Sequence, residues 1–224
     1  MSNWAKKMAN AEPGILAIWN DAAPGRDADF NLWFQGEHLE ERLGVPGFLY
    51  GRRHQAISGA CGYFNFYVVE SPAVLTSPAY LERLNNPTPM TKMIMSEVFK
   101  NMNRTLCYRT LRRGAMRGAY AVTVRFNDAP DDTRLAALLD ELLADVKFPS
   151  GEIWMAVDPA GQPVAEEERL RGGDRKIKGA LMVDTIWQAD AETLGARLTR
   201  DFPKGEVGVF RVLCQLGHGE AFAT

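Results

Sequence analysis

Short apolar runs, separated by loops rich in Gly, Pro and Asp, make up most of the chain. Eight of these runs have the length and the β-branched or aromatic content of strands. They cover residues 14–20, 48–57, 63–70, 104–111, 119–126, 152–158, 177–188 and 206–213. Segments that predict helices lie between them, at 30–43, 77–84, 91–99, 133–146 and 191–202.

These elements follow the order β-α-β-β-α-β, and the same order then begins again. That order defines the ferredoxin-like split βαβ unit. The sequence therefore predicts an α+β fold with two tandem ferredoxin-like βαββαβ repeats, at 14–113 and 118–214, and tails at 1–13 and 215–224. A single unit leaves one sheet face without helices, so we expect the two antiparallel sheets to bury these faces against each other as an α/β barrel. Pairing of each open sheet with another chain is the alternative.

The first predicted helix, 30–43, carries a leucine stripe and a second, aromatic side. Leu32, Leu39 and Leu43 share one side, which we expect to pack on the sheet. Aromatic residues on another side indicate that the helix is covered twice or lines the mouth of a cavity. A turn of 100° per residue places His38 on the flank of the leucine stripe. His38 is a candidate proton carrier or haem ligand, or a structural histidine in the alternative interpretation.

The strand predicted at 63–70 has two chemically different faces, because successive side chains of a strand point in opposite directions. The two sets are Phe64, Phe66 and Val68 on one face, and Tyr63, Asn65 and Tyr67 on the other. We expect the apolar set to pack under the helices and the polar set to face the barrel interior as part of a ligand pocket. A wet face, or hydrogen bonds within the polar set, is the alternative.

The strand predicted at 48–57 places Tyr50, Arg52 and His54 on one face. If that face points into the barrel, a fixed cation and a titratable imidazole point at the tyrosines of the neighbouring strand. Such an arrangement suits a carboxylate, an enolate or a phenolate. A solvated strand edge is the alternative.

Two sets of candidate site residues follow from these patterns. The candidate catalytic residues are His38 and His54, and the candidate substrate-binding residues are Trp33, Arg52, Tyr63, Asn65 and Tyr67. The sharpest hypothesis is that His38 lines a pocket with Trp33 and one of the three polar residues of strand 63–70. No second His or Cys follows His38 within ligand reach, so no metal site is expected.

Composition and charge exclude several classes of protein. The formal net charge is −2, which gives no sign of a nucleic-acid partner, and the basic stretch 111–118 is interpreted as a linker. Cys61, Cys107 and Cys214 form no CxxC pair, so neither a zinc site nor a disulfide framework is expected. The first residues lack a secretory signal and no apolar run approaches the ~18 residues of a membrane span, so we expect a cytoplasmic protein without membrane contact.

Further motifs of common chemistry are missing from the sequence. It holds no GxGxxG or GxxxxGK[ST] nucleotide cradle and no GxSxG nucleophile elbow. The acidic run 166–168 and the charged residues after it are interpreted as a solvated loop.

The first half of the chain carries a recognisable pattern of residues. It consists of Phe30, Asn31, Trp33, Phe34, Glu37, His38, Leu39, Glu41, Arg42 and Leu43, followed by 45–48, Arg52 and Arg53. This pattern resembles the EthD-like branch of the dimeric α/β-barrel superfamily, and in particular a bacterial subgroup of it. The resemblance covers about residues 14–111, whereas the second half matches only as a repeat of the element order.

The resemblance implies the barrel fold and leaves the reaction open, because the superfamily includes cofactor-free monooxygenases, lactone isomerases, cyclases and haem enzymes. We expect a small-molecule-binding barrel that acts without a cofactor, as an isomerase, lyase or monooxygenase, on a small aromatic or acidic metabolite in catabolism. His38 or His54 would carry the proton. A non-catalytic accessory or structural protein is one alternative, and a haem-binding barrel that uses His38 is another. The expected partner is a small-molecule ligand, and the expected assembly is a monomer or homodimer.

Overall fold

A computed structural model describes residues 13–157 and 164–219, and the strands of this part close into one antiparallel barrel. The order around the barrel is β1-β3-β2-β8-β5-β7-β6-β4. The strands are β1 Gly14–Ala22, β2 Phe48–Gly59, β3 Tyr63–Val69, β4 Phe99–Arg113, β5 Tyr120–Phe126, β6 Ser150–Ala156, β7 Gly179–Thr185 and β8 Glu206–Gly217. Each half of the chain contributes four neighbouring strands, and the halves meet where β2 pairs with β8 and β4 pairs with β6. The predicted α+β barrel of two ferredoxin-like sheets is confirmed.

Helices cover the outside of both sheets. The α-helices are α1 Asp27–Trp33, α2 Leu39–Leu43, α3 Pro78–Asn85, α4 Pro89–Met93, α5 Asp132–Leu142, α6 Glu166–Leu170 and α7 Gln188–Asp201. A π-helical turn, Phe34–His38, joins α1 to α2, and a second, Ile94–Val98, follows α4. A 3₁₀ turn, Pro72–Thr76, precedes α3. No helix in the described ranges is long and apolar enough to cross a membrane.

Alternation along each strand divides the buried residues into three clusters. The barrel interior holds an aromatic core of Trp19, Phe64, Phe66, Trp154 and Phe210. The outer face of β1 and β3 packs under the helices of the first half, and the outer face of β5 and β7 packs under α5 and α7. Every strand of the first sheet therefore buries side chains on both of its faces.

The orientation predicted for β3 is wrong. The two sets of side chains do lie on opposite faces, but Phe64, Phe66 and Val68 point into the barrel. Tyr63 and Tyr67 point outward and pack under the helices, and Asn65 donates to Asn20 on that same outer face, at 3.3 Å. The interior of the closed barrel holds a cluster of aromatic rings beside buried ion pairs such as that of Arg52 with Asp184, whereas the tyrosines of β3 lie under the helices.

The bounds of the predicted tails need one correction. β8 continues through Gly217, and its last residues pair with Tyr50, Gly51 and Arg52 of β2. Residues 215–217 therefore belong to the barrel. The predicted tail residues 1–12 and 220–224 lie outside the described part of the chain.

Candidate functional site

A π-helical turn decides which residues of the first helix face the sheet. In a π-turn one extra residue is accommodated, so the buried side of the helix shifts by one position after it. Before the turn Phe30 and Trp33 are buried, and after it Leu39 and Leu43 pack on the sheet as predicted. Leu32, which was assigned to the same stripe, is 67% exposed.

The same shift turns His38 from the flank of the helix onto its buried side. Its ring lies 4.1 Å from the Trp33 ring and 5.2 Å from the Phe34 ring, measured between centroids. Gly51 on β2 keeps α2 close to the sheet, because a Cβ there would lie 2.7 Å from Leu39 and 2.9 Å from the Tyr67 ring. His38 therefore faces β3 across a short gap.

A small enclosed space, here called the polar cavity, lies in this gap between the outer face of the first sheet and its helices. Its volume is about 20 Å³, which holds about one water molecule. The lining residues are Leu16, Ile18, Phe34, His38, Arg42, Asn65, Tyr67, Tyr80, Leu84, Met95, Phe99, Met102, Arg104, Glu167 and Arg171. An apolar wall thus surrounds a group of polar and charged side chains that come from β3, β4, α2, α3 and α6.

Four polar atoms around the polar cavity have no hydrogen-bond partner. They are His38 Nδ1, Arg42 Nη1, Asn65 Oδ1 and Tyr67 OH. All four residues are more than nine-tenths buried. A buried polar group without a partner costs about 1–3 kcal/mol, so four on one cavity demand an explanation.

The charged side chains of the polar cavity form ion pairs that leave one donor of Arg42 without a partner. Arg42 donates from Nη2 to Glu167 Oε1, and both side chains are buried, while Arg42 Nη1 remains available on the other edge of the guanidinium. Arg171 is held by Asp174 at 2.6 Å and lies 3.9 Å from Glu167. The cation of Arg42 is thus fixed in position by Glu167 and keeps one donor for a further partner.

Burial sets the protonation states of His38 and Tyr67. Burial, with Arg42, Arg53 and Arg171 nearby, holds the pKa of His38 well below its ordinary value, so the imidazole is neutral at pH 7. Burial also raises the pKa of Tyr67, so its hydroxyl stays protonated. The polar cavity therefore presents a neutral imidazole, a phenol, an amide and a guanidinium.

The structure places the other predicted substrate-binding residues of the first helix and β3 beside the polar cavity. Trp33 does not line it, since its ring packs behind His38 and its Nε1 donates to Thr91 at 2.9 Å. Tyr63 is also outside the lining and donates to Asp27 at 2.5 Å. His38, Asn65 and Tyr67 are thus the predicted site residues that meet at one cavity.

Arg52 and His54 lie on the opposite side of the sheet, inside the barrel. Of the two alternatives left open for this face of β2, the barrel interior and a solvated edge, the structure has the first, but Arg52 and His54 do not point at Tyr63 and Tyr67, because those tyrosines face outward. Arg52 donates to Asp184 at 2.6 Å. His54 Nδ1 donates to the carbonyl of Phe64 at 3.1 Å, and its ring stacks on that residue. The predicted combination of these two residues with the tyrosines is therefore wrong.

Sequence reasoning missed the charged half of the polar cavity. Glu167, from the run interpreted as a solvated loop, lies on α6, is buried and pairs with Arg42. Arg171 and Arg104 reach the cavity from segments that carried no site prediction. The alternation of acidic and basic residues in 166–175 was the available signal, since pairs at i,i+3 and i,i+4 form there.

The polar cavity does not fit a haem on His38. Its volume of about 20 Å³ is far smaller than a porphyrin, and the His38 ring is enclosed by Trp33 and Phe34. Among the described residues no group of three His, Cys, Asp or Glu side chains is arranged to hold a metal ion.

Comparisons with known proteins identify the fold. No protein-family model matches the chain, and no curated protein matches its sequence. The chain is similar to the structure of an anthrone oxidase-like protein, with 14% identity, a TM-score of 0.67 and 96% of each chain covered. It is also similar to a Fusobacterium nucleatum protein described as a candidate monooxygenase, with 9% identity, a TM-score of 0.55, and 92% of this chain and 95% of that chain covered.

A third solved structure is also similar to this chain. It is described as a candidate chlorite dismutase and has 10% identity and a TM-score of 0.53, with 94% of this chain and 97% of that chain covered. The chain has the dimeric α/β-barrel fold. At these identities the likeness concerns the fold, and the chemistry has to be argued from the residues of the polar cavity.

Proposed function

We propose that this protein is a cofactor-independent enzyme that takes a proton from a small aromatic or acidic metabolite in the polar cavity. The observation that carries the proposal is the convergence of four buried, unpartnered polar atoms on one enclosed space. A ligand that satisfied them would remove a cost of about 1–3 kcal/mol for each atom. Buried polar groups that converge on one space are typical of a binding pocket.

His38 is the proposed proton acceptor. A neutral imidazole has one bare nitrogen, and the lowered pKa of His38 keeps that nitrogen unprotonated in the ligand-free protein. The oxyanion that forms beside it on proton transfer would supply the counter-charge for the imidazolium. Tyr67 cannot take this role, because its raised pKa keeps the hydroxyl protonated. Arg42 cannot take it either, since a guanidinium has no acceptor.

Arg42 and Tyr67 are the proposed partners of the oxygen that becomes negative. Arg42 Nη1 and the Tyr67 hydroxyl both have a proton to donate and no acceptor in the described structure. Asn65 Oδ1 adds an acceptor that would orient a hydroxyl of the substrate. Two donors and two acceptors suit a phenol, an enol or a β-keto acid, in which a proton leaves and an oxyanion forms.

The wall of the polar cavity favours an aromatic substrate that enters when side chains move. Leu16, Ile18 and Phe99 supply flat apolar surface, and Met95 and Met102 are the most adaptable side chains of the lining. Since the closed space holds about one water, we propose that the methionines change rotamer when substrate enters.

We assign the chain to the EthD-like branch on the resemblance of its first half, an assignment that leaves the class of reaction open. The names of two structural neighbours, anthrone oxidase-like and monooxygenase, direct the substrate search to phenolic and enolisable aromatic compounds. For an enolisable or phenolic compound, the proposed proton removal is a common first step of isomerisation, of elimination and, with O₂ as the oxidant, of oxygenation. The free thiols of Cys61, Cys107 and Cys214 support a reducing cytoplasm as the site of action.

A thermal-shift screen of small phenols, enolisable ketones and aromatic acids tests the proposal first. Compounds that raise the melting temperature are then incubated in D₂O, and incorporation of deuterium at the acidic carbon is followed by NMR, with O₂ consumption measured in parallel. We expect exchange that is lost in His38→Gln and binding that is weakened about tenfold in Tyr67→Phe.

Tyr63→Phe is the matched control, because Tyr63 lies on the same face of β3 outside the lining. It should leave binding and exchange unchanged. Binding without exchange or turnover would favour the non-catalytic accessory alternative. Ligands that bind His38→Gln and Tyr67→Phe as tightly as the wild type would remove the polar cavity from consideration.

A further inference from the structure

A second and much larger space, here called the large cavity, lies farther along the outer face of β4. Its volume is about 530 Å³, within the range of about 300–1,000 Å³ that small-molecule sites occupy. Leu75, Leu81 and Leu84 close it from the helix side, and Leu106 and Met155 form its floor. None of the mechanism proposed above uses this space.

The large cavity lies near the end of β6, where that strand stops pairing with β4. Their pairing runs from Arg113 down to Cys107 opposite Ala156, and β6 ends there while β4 continues. Beyond this point the segment ending at Lys178 comes alongside β4, where Arg175 bridges to Asn103. Leu106 of β4 and Met155 of β6, close to this end of the pairing, are apolar side chains that the two strands contribute to the lining.

The large cavity is distinct from the polar cavity. The two share Leu84 and Arg104, which form the wall between them. Arg104 is held there by hydrogen bonding to the Tyr80 hydroxyl, at 2.7 Å, and by Asp174, at 3.8 Å. His38, Asn65 and Tyr67 do not line the large cavity.

The charges around the large cavity have one dominant sign. Three cations line it, Arg104, Lys176 and Lys178, against the single carboxylate of Glu168. Asp174 behind the wall also pairs with Lys176, at 3.6 Å. Lys178 has no ion pair among the described residues, so one ammonium at the cavity is available to an anion.

We propose that the large cavity binds an amphipathic carboxylate, with its hydrocarbon body along the leucines and its carboxylate at Lys176 and Lys178. Apolar lining alone accepts any hydrophobic molecule, and the excess of cations selects an anionic end group. The polar end lies toward the lysines, since both are exposed and lose little hydration on pairing.

Calorimetric titration of the full chain with octanoate, decanoate and dodecanoate, below their micelle concentrations, tests the proposal. Each added methylene should tighten binding about three- to fourfold until the cavity is filled. Decanol and decyltrimethylammonium are the charge controls and should bind more weakly than decanoate. Equal affinity for all three head groups would overturn the assignment of an anionic ligand.

Two pairs of variants locate the site. Lys178→Gln should weaken decanoate binding about threefold to tenfold and flatten its salt dependence, whereas the exposed Lys92→Gln, outside the lining, should not. Leu81→Trp should fill the cavity and abolish binding. Leu138→Trp, also half-buried but packed on the second sheet, controls for the added bulk.

The outcome for this site is separable from that for the polar cavity. Decanoate binding should be unchanged in His38→Gln, because His38 lies outside the large cavity. Absence of decanoate binding to the wild type, or binding that survives Leu81→Trp, would overturn the inference. Either result leaves the deuterium-exchange test of His38 untouched.

Discussion

His38 and His54 occupy similar surroundings on opposite sides of the same sheet, yet only one of them adjoins the polar cavity. Both are buried, both have pKa values held well below the ordinary one by burial and nearby arginines, and both stack on aromatic rings. Each has one ring nitrogen without a partner among the described residues, Nε2 in His54, whose Nδ1 donates to a backbone carbonyl, and Nδ1 in His38. Of the two, only His38 shares a cavity lining with further unpartnered atoms, those of Arg42, Asn65 and Tyr67. A buried histidine with a lowered pKa is therefore not in itself a functional signature; unpartnered atoms that converge on a space are the sharper one.

The arginines on the two sides differ in the same way. Inside the barrel Arg52 donates to Asp184 and to the carbonyl of Gly118, and Arg117 lies 2.9 Å from Glu152. Ser150 adds a bond to Asp184, at 2.9 Å. The barrel interior is thus a connected ion-pair network that stabilises the closure between the two sheets. Arg42 has one carboxylate partner and keeps Nη1 unpaired, as Arg52 keeps Nε, but Arg42 lines the polar cavity and Arg52 does not.

The largest effect is expected from a substitution that breaks the ion-pair network inside the barrel. Asp184→Ala leaves the buried Arg52 without its carboxylate, and removal of one partner of a buried pair costs about 3–5 kcal/mol. For a chain of this size we expect the melting temperature to fall by about 10 °C in calorimetry.

Asp140→Ala is the control for that experiment. Its ion pair with Arg113, at 2.8 Å, has side chains that are 44% and 58% exposed, so the expected loss is under about 1 kcal/mol. Similar losses in the two variants would mean that the barrel interior is not held by its ion pairs.

Element order and the two-sheet barrel were predictable, because strand length and turn residues depend on local sequence. The orientation of β3 was not, since all seven of its residues are buried and alternation reveals two faces without saying which is inside. The polar side chains of β3 were predicted to face the barrel interior, but the tyrosines lie under the helices, where Tyr63 reaches Asp27 at the start of α1.

The site was only half predictable for two physical reasons. A π-turn changes the phase of a helix without any marker as strong as a proline, so His38 was placed on the flank while it faces the sheet. Glu167 was interpreted as solvated because acidic runs usually are, but its partner Arg42 lies 125 residues away in the chain. Pairing at such a distance is a property of the closed barrel and has no local signature.

A smaller expected effect is the contribution of the two buried histidines to the pH dependence of stability. Both folded pKa values lie below the unfolded value of about 6.5, so the unfolded chain takes up protons that the folded chain does not. Stability is therefore full above about pH 6.5 and is lost as the pH falls below it. Each histidine should contribute a loss on the order of 1 kcal/mol between pH 7.5 and 5.5.

Urea unfolding of the wild type, His38→Gln and His54→Gln at the two pH values measures this contribution. Each variant should lose less stability than the wild type on acidification, by on the order of 1 kcal/mol, whatever its stability at pH 7.5. A ligand bound in the polar cavity sharpens the comparison, because it should protect against acid in the wild type and in His54→Gln but not in His38→Gln. Equal pH dependence in all three proteins would show that neither imidazole is excluded from protonation by the fold.

The smallest expected effect is the difference in stability between removing one or the other of two tyrosine hydroxyls on one face of β3. Tyr63→Phe removes a bond to the Asp27 carboxylate and should cost about 1 kcal/mol in urea unfolding of the ligand-free protein. Tyr67→Phe removes a buried hydroxyl that has no partner, so the change should lie within about 0.5 kcal/mol of zero or stabilise the protein. A ligand of the polar cavity should reverse the order, since only the Tyr67 hydroxyl is available to it. If Tyr67→Phe instead costs as much as Tyr63→Phe without ligand, that hydroxyl already has a partner, such as an ordered water, and the argument for a ligand at this atom falls.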